Sequence, residues 1–373
     1  MRAFSWCAQS ATGWSAAERL TDNDPMTVNP RTIRAGLRTM FKSGVIGDAP
    51  IHLQIEPSSY CNYRCLMCDR RAIPNPSHMP VAKFRAIIEQ CRPFFVTLSG
   101  YGEPLLHPDL PEMIRLVKEK GAGVNTTTNG FLLGRRAQEL VDSGLDTINI
   151  SLDAATADSY SRIRRNSHFD KVISNIGKLR AARGGRSAPH MRATFVIQRH
   201  NLDELIPFLD LARNAGFDAV LFQPLLLFDM EDALYSELAG DVDETALREA
   251  LEKARTHARR LGMPGNLDRL IQRLDDFLAV QYRKHERPVL LKQCAKPWFS
   301  AYISVEGDLR PCCSFAPIAM RFGNVFETDI LEIMNGARAR EFRKRLKQGR
   351  PPHSLCSRCV PESLWDLMRT TSF

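Results

Sequence analysis

The sequence predicts an α/β fold: an open, partial (β/α)6 barrel or a doubly wound sheet, followed by a small C-terminal domain. Three observations carry that expectation. From residue 51 onward, short β-rich runs alternate with segments of helical period; several helical segments close on glycine; and after Pro288 the composition turns aromatic and cysteine-bearing. Alternation of this kind marks a parallel sheet, because each parallel pairing needs a crossover to carry the chain back.

The elements follow in order. Residues 1–48 are polar and weakly periodic, an expected N-terminal extension, partly disordered, with one short amphipathic stretch, TIRAGLRTMFKSGV. The runs IHLQIEP, FVTLSG, GVNTTTNG, TINISLD, RATFVIQ and AVLFQPLL read as strands. Between them lie the helical segments VAKFRAIIEQCR, PEMIRLVKEKG, AQELVDSG, FDKVISNIGKLRAARGG and LDELIPFLDLARNAG, several ending in the glycine that suits a C-cap. Six such units fill residues 49–228, too few for a closed eight-stranded barrel of about 250 residues. Residues 229–290 read as a helical, charged connection; its acids Asp229, Glu231 and Asp232 are a loop by default. In the small domain expected over 291–373, Trp298, Phe299 and Tyr302 lead into ISVEGDLRPCC. There EGD is a hairpin turn, and a helical stretch, DILEIMNGARAREFRKRLKQG, runs on toward a final CSRC.

At 373 residues, 44% hydrophobic and 25% charged, the composition is that of an ordinary globular protein, long enough to bury a core without disulfide staples. Its ten cysteines are too sparse for a disulfide scaffold, and no charged start with an apolar run opens the chain. A cytoplasmic protein with reduced thiols is expected, so clustered cysteines point to metal or to chemistry. No apolar run approaches the roughly 18 residues of a membrane span. The formal charge is +9, and seven basic residues against one acid between Arg338 and Arg350 account for six of it. A solvated helix explains that run, and without interleaved aromatics no nucleic-acid partner is expected.

The segment EPSSYCNYRCLMCDR sets Cys61, Cys65 and Cys68 in a C-x3-C-x2-C pattern directly after the first strand. Three thiolates can wrap one metal centre and leave a site unfilled, where a cofactor or substrate can coordinate. By spacing alone, a zinc loop stays open. In this context the segment resembles the radical S-adenosylmethionine (SAM) superfamily. That resemblance implies a [4Fe-4S] cluster on the three cysteines, with SAM chelating the fourth iron and, after reductive cleavage, yielding a 5′-deoxyadenosyl radical that abstracts hydrogen from substrate. It also implies a flavodoxin- or ferredoxin-type electron donor. Met67 stands where the family usually has an aromatic residue near the adenine; a thioether can make a similar contact.

LSGYGEP, with Gly100, Gly102 and Glu103, resembles the family's GGEP motif, which receives the amino group of SAM; bare backbone and a carboxylate suit an ammonium. Thr128 and Asn129 end the third strand, Ser151 and Asp153 the fourth. By the same resemblance Thr128 and Asn129 are expected near the ribose, and Ser151 and Arg164 at the SAM carboxylate. The plainer reading is a loop turn for Asn129 and a helix N-cap for Ser151 and Asp153.

Further on, Cys294, Cys312, Cys356 and Cys359 form a second set, with Cys313 beside the second member. Four cysteines close a metal site, zinc or iron–sulfur alike. The arrangement CAKPW, GDLRPCC, FGNVFE, CSRC resembles the SPASM or shortened twitch domain, which implies one auxiliary [4Fe-4S] cluster. Cys313 is an alternative ligand, a spare thiol or a hydrogen donor, while Cys7 and Cys91 are bystanders. The function expected is a radical SAM oxidoreductase, a dehydrogenase of a small sugar- or cyclitol-like metabolite. A maturase of a ribosomal peptide, an epimerase using Cys313, and a zinc- or iron–sulfur-stabilised binding module are the alternatives.

Overall fold

The structure, a computed structural model, describes residues 44–47, 50–68, 75–91, 93–225, 238, 243–281, 291–315, 320–357 and 359–361. Most of the amphipathic stretch in the N-terminal extension, Cys7, and the acids Asp229, Glu231 and Asp232 lie outside them.

All six expected strands form: β1 (His52–Ile55), β2 (Phe95–Leu98), β3 (Gly123–Thr128), β4 (Thr147–Ser151), β5 (His190–Ile197) and β6 (Ala219–Pro224). They pair parallel in chain order. The crossovers are α1 (Val81–Cys91), α2 (Leu110–Glu119), α3 (Leu133–Asp142), α4 (Ala157–Arg164) with α5 (Phe169–Arg183), and α6 (Leu205–Ala215). The sequence reading contained no α4. It is a polar helix begun by Thr156, whose hydroxyl accepts from the Ser159 N–H at 3.3 Å. Glycine ends α6 as expected, Gly216 standing at φ +80° and donating to the carbonyls of Ala212 and Arg213. Helices α7 (Glu244–Leu261), α8 (Leu267–Gln272) and α9 (Leu274–Gln281) make up the described part of the connection.

Alternation along each strand sorts the side chains onto two faces. Leu53, Ile55, Val96, Leu98, Val124, Ile148, Ile150, Met191, Ala193 and Phe195 are buried beneath the helices. Their neighbours on the opposite face are His52, Gln54, Thr97, Asn125, Thr127, Asn149, Ser151, Arg192 and Thr194. A parallel sheet covered by helices on both sides would be apolar throughout. Here the second face is polar because it lines the concave side of an unclosed barrel.

The sheet does not stop at the barrel. After the short α10 (Lys296–Phe299), β7 (Ser300–Ile303) pairs parallel with β1, Gln54 opposite Tyr302. β8 (Asp308–Arg310) and β9 (Gly323–Asn324) continue antiparallel, completing the order β6-β5-β4-β3-β2-β1-β7-β8-β9. The expected EGD turn is present, with Gly307 at φ +86° and donating to the Ser304 carbonyl. The predicted long helical stretch is two helices, α11 (Ile330–Asn335) and α12 (Ala337–Lys347), parted by Gly336 in extended backbone. A last turn, α13 (Ser354–Ser357), carries Cys356.

Candidate active site

The first cysteine loop leaves β1 at its carboxyl end, the end at which ligands of parallel β/α folds gather. Cys61, Cys65, Met67 and Cys68 are half-buried, and Cys61 and Cys65 pack against the main core. The loop is held from two sides: the Leu66 N–H donates to Ile163 at the end of α4, and the Glu103 N–H donates to the Tyr60 carbonyl at 2.7 Å. Inside it, Tyr63 is buried and accepts from the Tyr160 hydroxyl at 3.1 Å.

The sulfurs receive hydrogen bonds from the fold. The Tyr63 N–H donates to Cys61 Sγ, and Arg164 Nη1 to Cys65 Sγ, each at 3.5 Å. Among the described residues, no three His, Cys, Asp or Glu side chains converge as one bound ion requires. Half-buried thiols on one loop, two of them with hydrogen-bonded sulfurs, fit the ligands of an iron–sulfur cluster.

Arg164 is buried, and its Nη2 pairs with Asp153 at 2.5 Å, so its guanidinium backs the cysteine loop. Asp153 is no N-cap: it is fully buried at φ +61° and accepts from the Val196 N–H at 2.8 Å. Thr156 holds the cap. Ser151 stays half-exposed on the concave face, accepting from the Thr194 hydroxyl at 3.3 Å.

The YGEP loop is shaped by two buried carboxylates. Glu56, at the end of β1, accepts from the N–H groups of Tyr101 at 2.7 Å and Gly102 at 3.3 Å. A Cβ on Gly100 would stand 2.4 Å from the Glu56 side chain, and one on Gly102 only 2.0 Å from the Ser58 carbonyl oxygen. Both positions therefore require glycine. Burial pushes the Glu56 carboxyl above its ordinary range, against the pull of those N–H groups.

Glu103 accepts from the Leu105 N–H (3.0 Å), the Thr128 hydroxyl (2.7 Å) and the Asn129 N–H (2.7 Å), which leaves about one of its four acceptor positions for a ligand. The buried hydroxyl of Thr128 donates to Glu103 and accepts from the Gly130 N–H at 3.0 Å, so it fixes the rim. Asn129 forms the loop turn, accepting from the Phe131 N–H and donating to Asn62 Oδ1 at 2.8 Å.

The second cysteine group lies against a small aromatic core of Trp298, Phe315 and Phe342, with Leu346 and Leu355. Burial raises the Cys312 thiol well above its ordinary value, and the nearby thiols of Cys313, Cys359 and Cys294 push it in the same direction. Burial and Cys294 push Cys356 up to about 12. Crowded, half-buried thiols resist ionisation by themselves, and a bound cationic metal centre reverses that penalty. The donor set thus fits a metal–sulfur centre. Cys313 sits beside it, with Lys296 Nζ 4.0 Å from its sulfur.

A cavity of about 620 Å³ joins the two regions, reaching from Met67 past Asn149 and Arg192 to Cys312 and Cys313. Sequence reasoning missed Glu56, Tyr63, Tyr160, Asn125, Asn149 and Arg192. For the last three the signal was present, as polar residues at every second position of the strands.

Residues 55–212 match the model of the radical SAM superfamily, and the chain belongs to that superfamily. Residues 294–360 match SPASM, an iron–sulfur cluster-binding domain; this is a radical SAM enzyme with a SPASM domain, using SAM and [4Fe-4S] clusters. The chain is 27% identical over 306 residues to a probable GTP 3′,8-cyclase of Saccharolobus solfataricus, covering 79% of this chain and 90% of that protein. It is 32% identical over 203 residues to a GTP 3′,8-cyclase of Chlorobaculum tepidum, covering 52% and 60%. The fold is similar to that of Streptococcus suis SuiB bound to the precursor peptide SuiA, at TM-score 0.63 and 18% identity over 92% of this chain and 79% of that one. Among the described residues, no helix is long and apolar enough to cross a membrane.

Proposed function

We propose that this radical SAM enzyme is an oxidoreductase that dehydrogenates a small polar metabolite, sugar- or cyclitol-like, at a carbon bearing a hydroxyl or an amine. The observation that carries the reading is a cavity that reaches from Met67 of the first cysteine loop to Cys312 and Cys313 of the second group. A substrate inside it lies within reach of a radical source and of an electron acceptor. In this reading Cys61, Cys65 and Cys68 hold the cluster that binds SAM, within a domain of residues 49–228. Cys294, Cys312, Cys356 and Cys359 hold the auxiliary cluster, within residues 291–373. When bound, these groups supply a 5′-deoxyadenosyl radical and an acceptor for the second electron.

The chain's own residues orient and enclose. Glu56 fixes the backbone of Tyr101 and Gly102 so that Gly100, Gly102 and the spare acceptor of Glu103 face the SAM ammonium, while Ser151 faces its carboxylate. Met67 packs at the adenine side. The substrate carbon in total gives up two electrons and two protons.

Anaerobic turnover tests this. The expected product lacks two hydrogens and appears with 5′-deoxyadenosine; an isomeric product would overturn the reading. Replacing Cys61, Cys65 and Cys68 together by Ala is expected to abolish SAM cleavage yet keep about four of about eight irons per chain, by iron analysis. Loss of all the iron would mean the cysteines are partitioned differently. The similarity to GTP 3′,8-cyclases supports a second reading, a radical ring closure on a nucleotide, whose product is an isomer and which the same mass measurement separates.

A further inference from the structure

The concave face carries polar groups that the proposed chemistry does not use. Asn149 and Arg192 are register partners on β4 and β5, and Asn125 stands on β3. Asn125 and Arg192 are buried, at 8% and 4% exposure, yet all three line the cavity. The side-chain oxygens of Asn125 and Asn149 are buried without a hydrogen-bond partner. Such acceptors are available to a donor hydrogen of a ligand in the cavity.

The described walls of the cavity carry cations. Among the described residues, Arg192, Arg269, Arg273 and Lys296 line the cavity and no Asp or Glu does. Lys296 faces Cys313, and Arg273 donates to the Pro361 carbonyl at 3.0 Å. The deep cation on the sheet is Arg192, whose pKa burial pulls down to about 10. A guanidinium held there is suited to binding a planar or tetrahedral oxyanion through two parallel N–H donors.

We propose that this part of the cavity is a recognition subsite for a phosphate or carboxylate group of the substrate, held by Arg192, with Asn125 and Asn149 accepting from hydroxyl or amine hydrogens beside it. The proposal rests on the reading above, that a small metabolite occupies this cavity, and narrows that metabolite to an anion.

Equilibrium dialysis of the anaerobically reconstituted holoenzyme tests it without turnover. The probes are glucose, glucose 6-phosphate, gluconate, myo-inositol and myo-inositol 1-phosphate, each at about 1 mM, the upper end of usual KM values. At least one anionic probe is expected to be retained about tenfold more than its neutral parent. Retention of the phosphates alone or of gluconate alone tells which oxyanion the subsite takes. Arg192→Met is expected to abolish the preference and Arg192→Lys to keep part of it, with iron content and thermal unfolding confirming that both variants fold. Should Arg192→Met fail to fold, Asn149→Ala is expected to lower retention of the same probe several-fold. Equal retention of anionic and neutral probes, or no retention of any anion, would overturn the subsite. Because binding is read alone, an isomeric turnover product would sink the dehydrogenase reading and leave this result standing.

Discussion

Glu56 and Asp153 show how single buried carboxylates set the shape of loops that carry the chemistry. Glu56 spends its charge on the N–H groups of the YGEP loop. Replacing it by Ala leaves those donors without their acceptor, and the SAM dissociation constant is expected to rise about tenfold with iron content unchanged, as read by equilibrium binding. Asp153→Asn probes the other carboxylate. Asn tolerates the φ of +61°, so the backbone survives while Arg164 loses its counter-charge in the interior. Denaturant unfolding is expected to show a loss of about 3–5 kcal/mol. At this scale the sequence was legible for the cysteines, whose spacing is itself the signal, and silent on what holds Thr128 and Arg164 from within. A hydroxyl or a guanidinium at a strand end looks the same in a sequence whatever neighbouring loop it pairs with. Only the fold reveals Glu103 and Asp153 as their partners.

Among the elements, the basic helix α12 was read as a solvated face, and most of it is. Arg343 is the exception: it is buried at 1% exposure, donating to the Met334 carbonyl at 2.7 Å and to the Gly44 carbonyl at 2.9 Å. Together with Asn335, which exchanges two hydrogen bonds with Ile46, it fastens the segment leading into β1 onto the SPASM domain. Arg343→Met is expected to lower stability by about 2–3 kcal/mol in thermal or denaturant unfolding, whereas Lys344→Met changes it by less than about 0.5 kcal/mol. The strands were legible because their apolar residues recur at every second position. Helix α4 was not, because its face toward the core is short and the remainder of ADSYSRIR is polar. The break at Gly336 was passed over for a similar reason, since the helical period runs on across it.

On the scale of the whole molecule, the sequence suggested two bodies joined by a connection, and the sheet runs through both. Hairpins and crossovers are signalled locally, but the pairing of β1 with β7 joins residues about 250 apart, and nothing near either strand announces it. A chain cut after residue 290 would leave β1 as an open edge between the cysteine loop and solvent. It is expected to aggregate, by size-exclusion chromatography and light scattering, while the full chain stays soluble. The β1–β7 ladder also has a bearing on electron transfer. Slipping it by one residue would move the second cysteine group along the strand by about 3.3 Å and turn Tyr302 to the opposite face. In the dehydrogenase reading proposed above, the gap an electron would cross is set in part by the backbone hydrogen bonds of this ladder.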